Sequence, residues 1–317
     1  MFTKKNTLER LHPDLRTALD SFPPVTYDAA GIAMQRAGRD FMLSHPEYMA
    51  TDEEVNIYDR VIKIEGNDAL KLRIYEPANK TGIYPCFIWL HGGGMTIGFT
   101  ESDDGQNIRF VKEAGCIVIS VEYRLAPENP YPIPVNDCFR ALKWISGHAK
   151  TLDIDVCRIG IGGLSGGGGL ALATALRARD ENGPSLCFIL AATPMINRKL
   201  DSPSAMKDYH PNSLNRSGAQ LLWNYYAGGQ SSTPYMEPLL DDMHDMPPIY
   251  IAAGELDPFR DDAIALAQKC MAQEIPTELH IYEGFCHGGE TLAPASSQSI
   301  SVVDGYIRAI RDHLSIQ

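Results

Sequence analysis

The sequence predicts an α/β fold in which a mostly parallel sheet of about eight strands carries helices on both faces. Three observations carry this reading. Residues 86–90 and 116–120 are short, nearly continuous apolar runs, the pattern of strands buried on both faces. From there to the end of the chain such strands alternate with helical segments, as parallel strands joined by crossover helices require. A third apolar strand, residues 158–162, runs into a glycine-rich bend around Ser165 and then into an Ala/Leu-rich helix over 166–181.

The elements follow in order. Residues 8–21 and 29–43 read as two amphipathic helices separated by Phe22-Pro23-Pro24, the first with Leu8, Leu11, Leu15 and Leu19 along one stripe. They precede every strand and are expected to lie over the domain. Residues 55–64 and 70–75 alternate apolar and polar side chains about a turn at Glu65-Gly66-Asn67-Asp68, which predicts a hairpin with one wet face. Pro134 opens a helix on which Val135, Cys138, Leu142 and Ile145 recur at helical spacing. A strand over 186–191 is followed by about fifty residues, 195–246, rich in Asn, Pro, Ser and aromatics. A connection that long inside a compact domain is usually functional, and it is assigned as the second part of a lid. Strands over 249–253 and 278–282, a helix over 261–273, and a last helix carrying Ile300, Val303, Ile307, Ile310 and Leu314 complete the pattern. The expectation is a single domain over 1–317 with a helical cap from 1–50 and 195–246.

Composition narrows the class. With 28 Lys and Arg against 40 Asp and Glu, the net charge is −12, and no basic block exists to hold nucleic acid or an anionic membrane. No apolar run has the roughly 18 residues of a membrane span, and the N-terminal cations have no apolar stretch behind them. Seven cysteines without C-x-x-C spacing predict buried free thiols rather than disulfides or zinc, hence a reducing, cytoplasmic location. A homodimer is compatible with all of this.

Gly163-Leu164-Ser165-Gly166-Gly167 fits G-x-S-x-G, the bend that exposes a nucleophilic serine. A phosphate loop would need a lysine after the glycines, and a dinucleotide fingerprint would need an acid ending a second strand about 20 residues on, where Asp180 and Glu181 instead close a helix. In open α/β sheets, ligands bind beyond the carboxyl ends of the strands. Those ends carry His91-Gly92-Gly93-Gly94, Ser165, Glu255 with Asp257, and His287. A serine hydroxyl needs a base to take its proton, and the base needs a carboxylate to orient it. Ser165, Asp257 and His287 fit those roles in the chain order of an α/β hydrolase, with Glu255 as the rival acid. The glycines after His91, with the N–H of Gly166, are suited to holding an oxyanion.

These residues resemble the hormone-sensitive-lipase-like (group IV) esterases of the α/β-hydrolase superfamily. The likeness runs through His91-Gly92-Gly93-Gly94, Tyr123-Arg124-Leu125-Ala126-Pro127-Glu128, the Ser165 bend, Gly254-Glu255-Leu256-Asp257-Pro258 and Cys286-His287-Gly288, with weaker echoes at Pro194-Met195-Ile196-Asn197 and Trp223-Asn224-Tyr225-Tyr226. It implies a cofactor-free, metal-free carboxylic-ester hydrolase for short or medium acyl chains, acting on a small-molecule ester. By position it implies catalytic Ser165, Asp257 and His287, with oxyanion donors at Gly93, Gly94 and Gly166. It also implies that the run 123–128 buttresses the oxyanion loop, with Ala126-Pro127 and Tyr131-Pro132 as candidate cis bonds. The sequence departs from the family pattern in three places: Leu164 and Gly166 replace a common Asp and Ala beside the serine, Gly288-Gly289 replaces a bulkier step, and Asn197 stands where an acid is usual. The alternatives are a non-catalytic small-molecule-binding protein, as the plant gibberellin receptors are on this scaffold, and a dehydratase. The presence of His287 speaks against the first and Ser165 against the second.

Overall fold

The computed structural model describes residues 7–21, 24–64 and 68–315. Helices α1 (Thr7–Arg10), α2 (Pro13–Ser21) and α3 (Ala29–Leu43) come first, then strands β1 (Val55–Lys63), β2 (Ala69–Pro77) and β3 (Tyr84–Leu90). There follow α4 (Asp104–Arg109), β4 (Ile117–Glu122), α5 (Ile133–Gly147), β5 (Ile154–Leu164), α6 (Gly166–Asp180) and β6 (Phe188–Ala192). The chain ends with α7 (Arg216–Ala227), β7 (Ile249–Leu256), α8 (Arg260–Ala272), β8 (Thr277–Cys286), α9 (Gly289–Leu292) and α10 (Ser297–Leu314).

The eight strands form one sheet in the order β1-β2-β4-β3-β5-β6-β7-β8. β1 pairs with β2 and β2 with β4 antiparallel, and every later pairing is parallel. Successive side chains of a strand point to opposite faces, so a continuous apolar run buries both. In β3, Cys86, Ile88 and Leu90 belong to the apolar layer that also holds residues of α5, α6 and α8, while Phe87 and Trp89 belong to the layer with residues of α4 and α10. Two apolar layers around one sheet result.

The differences from expectation have local causes. The stretch 8–21 is two helices, because Pro13 lacks an N–H and restrains the residue before it. Leu11, Leu15 and Leu19 are buried as the stripe requires, whereas the Leu8 side chain lies outside the described residues. So do residues 65–67 of the hairpin turn and Phe22-Pro23. The strand before Ser165 is longer than its apolar part: it starts at the buried Ile154 and passes through the partly or fully exposed Asp155, Val156, Cys157 and Arg158 before the apolar run. Residues 195–246 contain the helix α7. All seven cysteines are free, but Cys157 is exposed and Cys187 only partly covered, contrary to the expectation that all are buried. Among the described residues, no helix is long and apolar enough to cross a membrane.

Candidate active site

Ser165 stands between the end of β5 and the first residue of α6 with φ +57° and ψ −114°, a conformation that costs a non-glycine residue about 1–3 kcal/mol. The surroundings hold it there. Its N–H donates to the Ala192 carbonyl at 2.8 Å, and its carbonyl accepts from Met195 N at 3.0 Å and Gly169 N at 3.0 Å. The hydroxyl therefore projects from the sheet at the N-terminus of α6, where first-turn N–H groups have no partner within the helix.

His287 follows the last residue of β8, and its Nε2 lies 2.9 Å from Ser165 Oγ. Its Nδ1 lies 2.9 Å from Oδ2 of Asp257, the fully buried residue that follows β7. Asp257 is fixed in turn: its Oδ1 accepts from Phe259 N at 2.7 Å, and the Thr193 hydroxyl donates to its Oδ2. The Phe259 ring meets the imidazole edge-on at 5.2 Å between centroids. Glu255 points elsewhere, pairing with Arg10 and accepting from Gly284 N at 3.0 Å.

Burial pulls the His287 imidazole toward its neutral form. The Asp257 carboxylate, through its charge and hydrogen bond, and Glu290 more than reverse this and hold the imidazole above its ordinary value. Glu290 sits in α9, one turn beyond His287, and burial pushes its own carboxyl up. One of its oxygens accepts from the Tyr306 hydroxyl at 3.0 Å, among the described residues the other has no partner, and with Asp257 it lines a small space of about 10 Å³.

The loop after β3 approaches Ser165 from the opposite side. Gly94 has φ +58°, and a Cβ placed on Gly166 would lie 2.9 Å from Gly94 N, so the loop and the start of α6 are in close contact. The Tyr123 hydroxyl donates to the His91 carbonyl at 2.7 Å, and its ring stacks on the imidazole at 4.2 Å. Ala126 N donates to the Met95 carbonyl at 2.8 Å. Residues of the run 123–128 thus hold the loop, and both Ala126-Pro127 and Tyr131-Pro132 are cis. In front of Ser165 opens a cavity of about 370 Å³, lined in part by Leu19, Tyr27 and Gln35 from the N-terminal segment and by Asn212, Leu214 and Leu222 from the 195–246 segment.

A serine, an imidazole and a carboxylate thus form one hydrogen-bonded chain beside a glycine loop at the strand ends. The sequence pattern of a family described as alpha/beta hydrolase fold matches residues 87–290. Carboxylesterase NlhH of Mycobacterium tuberculosis is 31% identical over 299 residues, covering 91% of this chain and 92% of that protein. The chain belongs to the hormone-sensitive-lipase-like branch of the α/β-hydrolase superfamily. An arylesterase of Saccharolobus solfataricus is 32% identical over 262 residues, covering 78% of this chain and 81% of its own. The solved structure of a bacterial heroin esterase superposes with a TM-score of 0.90 at 33% identity, covering 98% of this chain and all of that one (100%).

Within this superfamily frame, the three departures have defined places. Leu164 is buried and faces the cavity together with Gly288. Gly289 lies against Phe285 and Leu15, where a Cβ would come within 2.7 Å and 3.1 Å of them. Asn197 donates through Nδ2 to Asp262 at 3.0 Å, away from the serine. Sequence reasoning missed Thr193 and Glu290. Thr193 had a signal, because it directly follows β6 and so stands at a strand end. Glu290 had none, since nothing in Gly288-Gly289-Glu290 shows that the acid turns inward.

Proposed function

We propose that the chain is a serine carboxylic-ester hydrolase that works through an acyl-enzyme, with Ser165 as nucleophile, His287 as general base and acid, and Asp257 as the orienting carboxylate. The observation that carries this reading is the pair of 2.9 Å contacts linking Ser165 Oγ, His287 and Asp257. In acylation, Oγ attacks the ester carbonyl while His287 Nε2 takes its proton. The carbonyl oxygen becomes an oxyanion held by the N–H groups of Gly93, Gly94 and Gly166. Collapse of this intermediate breaks the C–O bond to the alcohol, which leaves with the proton from His287. Water then attacks the acyl-serine with the same assistance, and carboxylic acid and free Ser165 are restored.

The cavity of about 370 Å³ suits a short or medium acyl group with a compact alcohol. Cavity-lining residues from both segments support a cap formed by residues 1–50 and 195–246 over one domain, with the described part of the first segment limited to 7–21 and 24–50. The substrate is a small ester, no step calls on a cofactor or metal, and the free thiols agree with a cytoplasmic location. A homodimer remains part of the proposal.

The test is hydrolysis of p-nitrophenyl esters of increasing acyl length by the native protein and by Ser165→Ala. Loss of kcat by roughly 10⁵- to 10⁶-fold is expected, and comparable rates in the two proteins would refute the assignment.

A further inference from the structure

The cavity in front of Ser165 contains one acidic residue, Asp103, and among the described residues no lysine or arginine lines it. Asp103 ends the turn Thr100–Asp103 that follows the glycine loop, and only 9% of its surface is exposed. Its Oδ2 accepts from Trp89 Nε1 at 2.6 Å and its Oδ1 from the Ser102 hydroxyl at 3.1 Å, both neutral donors. The adjacent Asp104 is treated differently, for Arg73 grips it through Nε at 2.9 Å and Nη2 at 3.0 Å. His91 and Tyr123 are further titratable groups close to Asp103; His91 Nδ1 is 2.8 Å from the Gly92 carbonyl, and among the described residues its buried Nε2 has no partner. Burial pushes the Asp103 carboxyl up, since hydrogen bonds from Trp89 and Ser102 and the proximity of His91 do not fully offset the loss of water. A carboxylate kept in a substrate cavity without a protein cation gains most from a cation brought by the ligand.

We propose that Asp103 is a specificity-determining residue that selects esters bearing a protonated amine or quaternary ammonium group away from the scissile carbonyl. The inference rests on the ester-hydrolase reading of the Ser165 centre. The net charge of −12 adds a long-range attraction for such substrates at low ionic strength.

The experiment compares charged esters with their neutral carbon isosteres at pH 8 and low salt. Choline esters against 3,3-dimethylbutyl esters place the charge on the alcohol side, and 4-(trimethylammonio)butyrate against 5,5-dimethylhexanoate esters place it on the acyl side. In the native protein the charged member of at least one pair is expected to have a kcat/KM about 10-fold or more above its isostere. In Asp103→Asn that ratio is expected to fall to about 1. A native ratio at or below unity in both pairs, or a ratio that survives Asp103→Asn, overturns the inference. Should that variant not fold, inhibition of the native protein decides: tetramethylammonium must inhibit at lower concentration than the neutral tert-butanol, and equal inhibition overturns the inference. Turnover of p-nitrophenyl acetate without any charge preference defeats this inference alone, whereas absence of turnover of every ester defeats the hydrolase reading itself.

Discussion

The Arg36 guanidinium donates to the Thr96 carbonyl oxygen through both Nε, at 3.1 Å, and Nη2, at 2.8 Å. The same Nη2 reaches the Ala126 carbonyl at 2.7 Å, and Nη1 pairs with Glu128 at 2.7 Å. One side chain from α3 therefore ties the glycine loop to the run that supports it. Arg36→Ala is expected to lower kcat by about 10- to 100-fold with a smaller change in KM, because misplacing oxyanion donors weakens an interaction made in the transition state. Steady-state kinetics on a p-nitrophenyl ester would show this, and an unchanged kcat would rule the tie out as a determinant of rate.

Gly166→Ala tests the close contact between loop and helix. The added Cβ would meet Gly94 N and Cα at 2.9 Å and Met95 Sδ at 2.5 Å. The methionine can swing away, but the Gly94 backbone has to shift. A kcat about 10-fold lower with near-native thermal stability is expected, as for a displaced oxyanion donor. Full activity in this variant would mean that the loop yields without cost.

The pH dependence follows from His287. The imidazole has to be neutral to accept the serine proton, and its neighbours hold its pKa above the ordinary 6.5, so kcat/KM should fall as pH drops through a midpoint above that value. Glu290 is faced by His287 and Asp257, by Tyr282 and Cys286 of β8, and by Tyr306 of α10. Glu290→Gln removes a negative charge that favours the imidazolium, so the acid limb should move to lower pH while the Tyr306 hydrogen bond is kept. A pH profile of the variant that superposes on the native one would contradict this.

Leu15, fully buried on α2, packs beside Gly289, two residues beyond His287. Leu15→Ala should cost about 2–5 kcal/mol of stability, as deletion of a buried leucine side chain does. Urea unfolding would measure it, and a loss below about 1 kcal/mol would show that the site collapses around the cavity.

The parts of this fold legible in the sequence were those whose pattern reports burial directly. Strands β3, β4, β6 and β7 are apolar because both of their faces are covered, and α5 announces itself through Pro134 and its apolar spacing. The site was legible because strand ends are where such sheets place chemistry, so Ser165, Asp257 and His287 stood out by position and order. What escaped depends on tertiary contact. Thr193 reads as an ordinary small residue until Asp257 lies beside it, and Asp103 reads as one acid of an exposed turn until Trp89 turns toward it. The break at Pro13 was written in the sequence but outweighed by the leucine stripe. The 195–246 segment lines part of the cavity but lacks the periodicity that would reveal α7.

His12 N donates to the Gly284 carbonyl at 3.0 Å, Arg10 pairs with Glu255, and Leu15 abuts Gly289. Residues 10–15 thus find seats on segments synthesised some 240 residues or more later, by the separation of Arg10 and Glu255. During synthesis the stripe of Leu11, Leu15 and Leu19 has to wait uncovered while the sheet is built, a time when exposed apolar surface invites aggregation or chaperone binding. The seating of this stripe and the completion of the Ser165 centre both await the turn that carries His287, so a nascent chain halted before it would be inactive and adhesive at once.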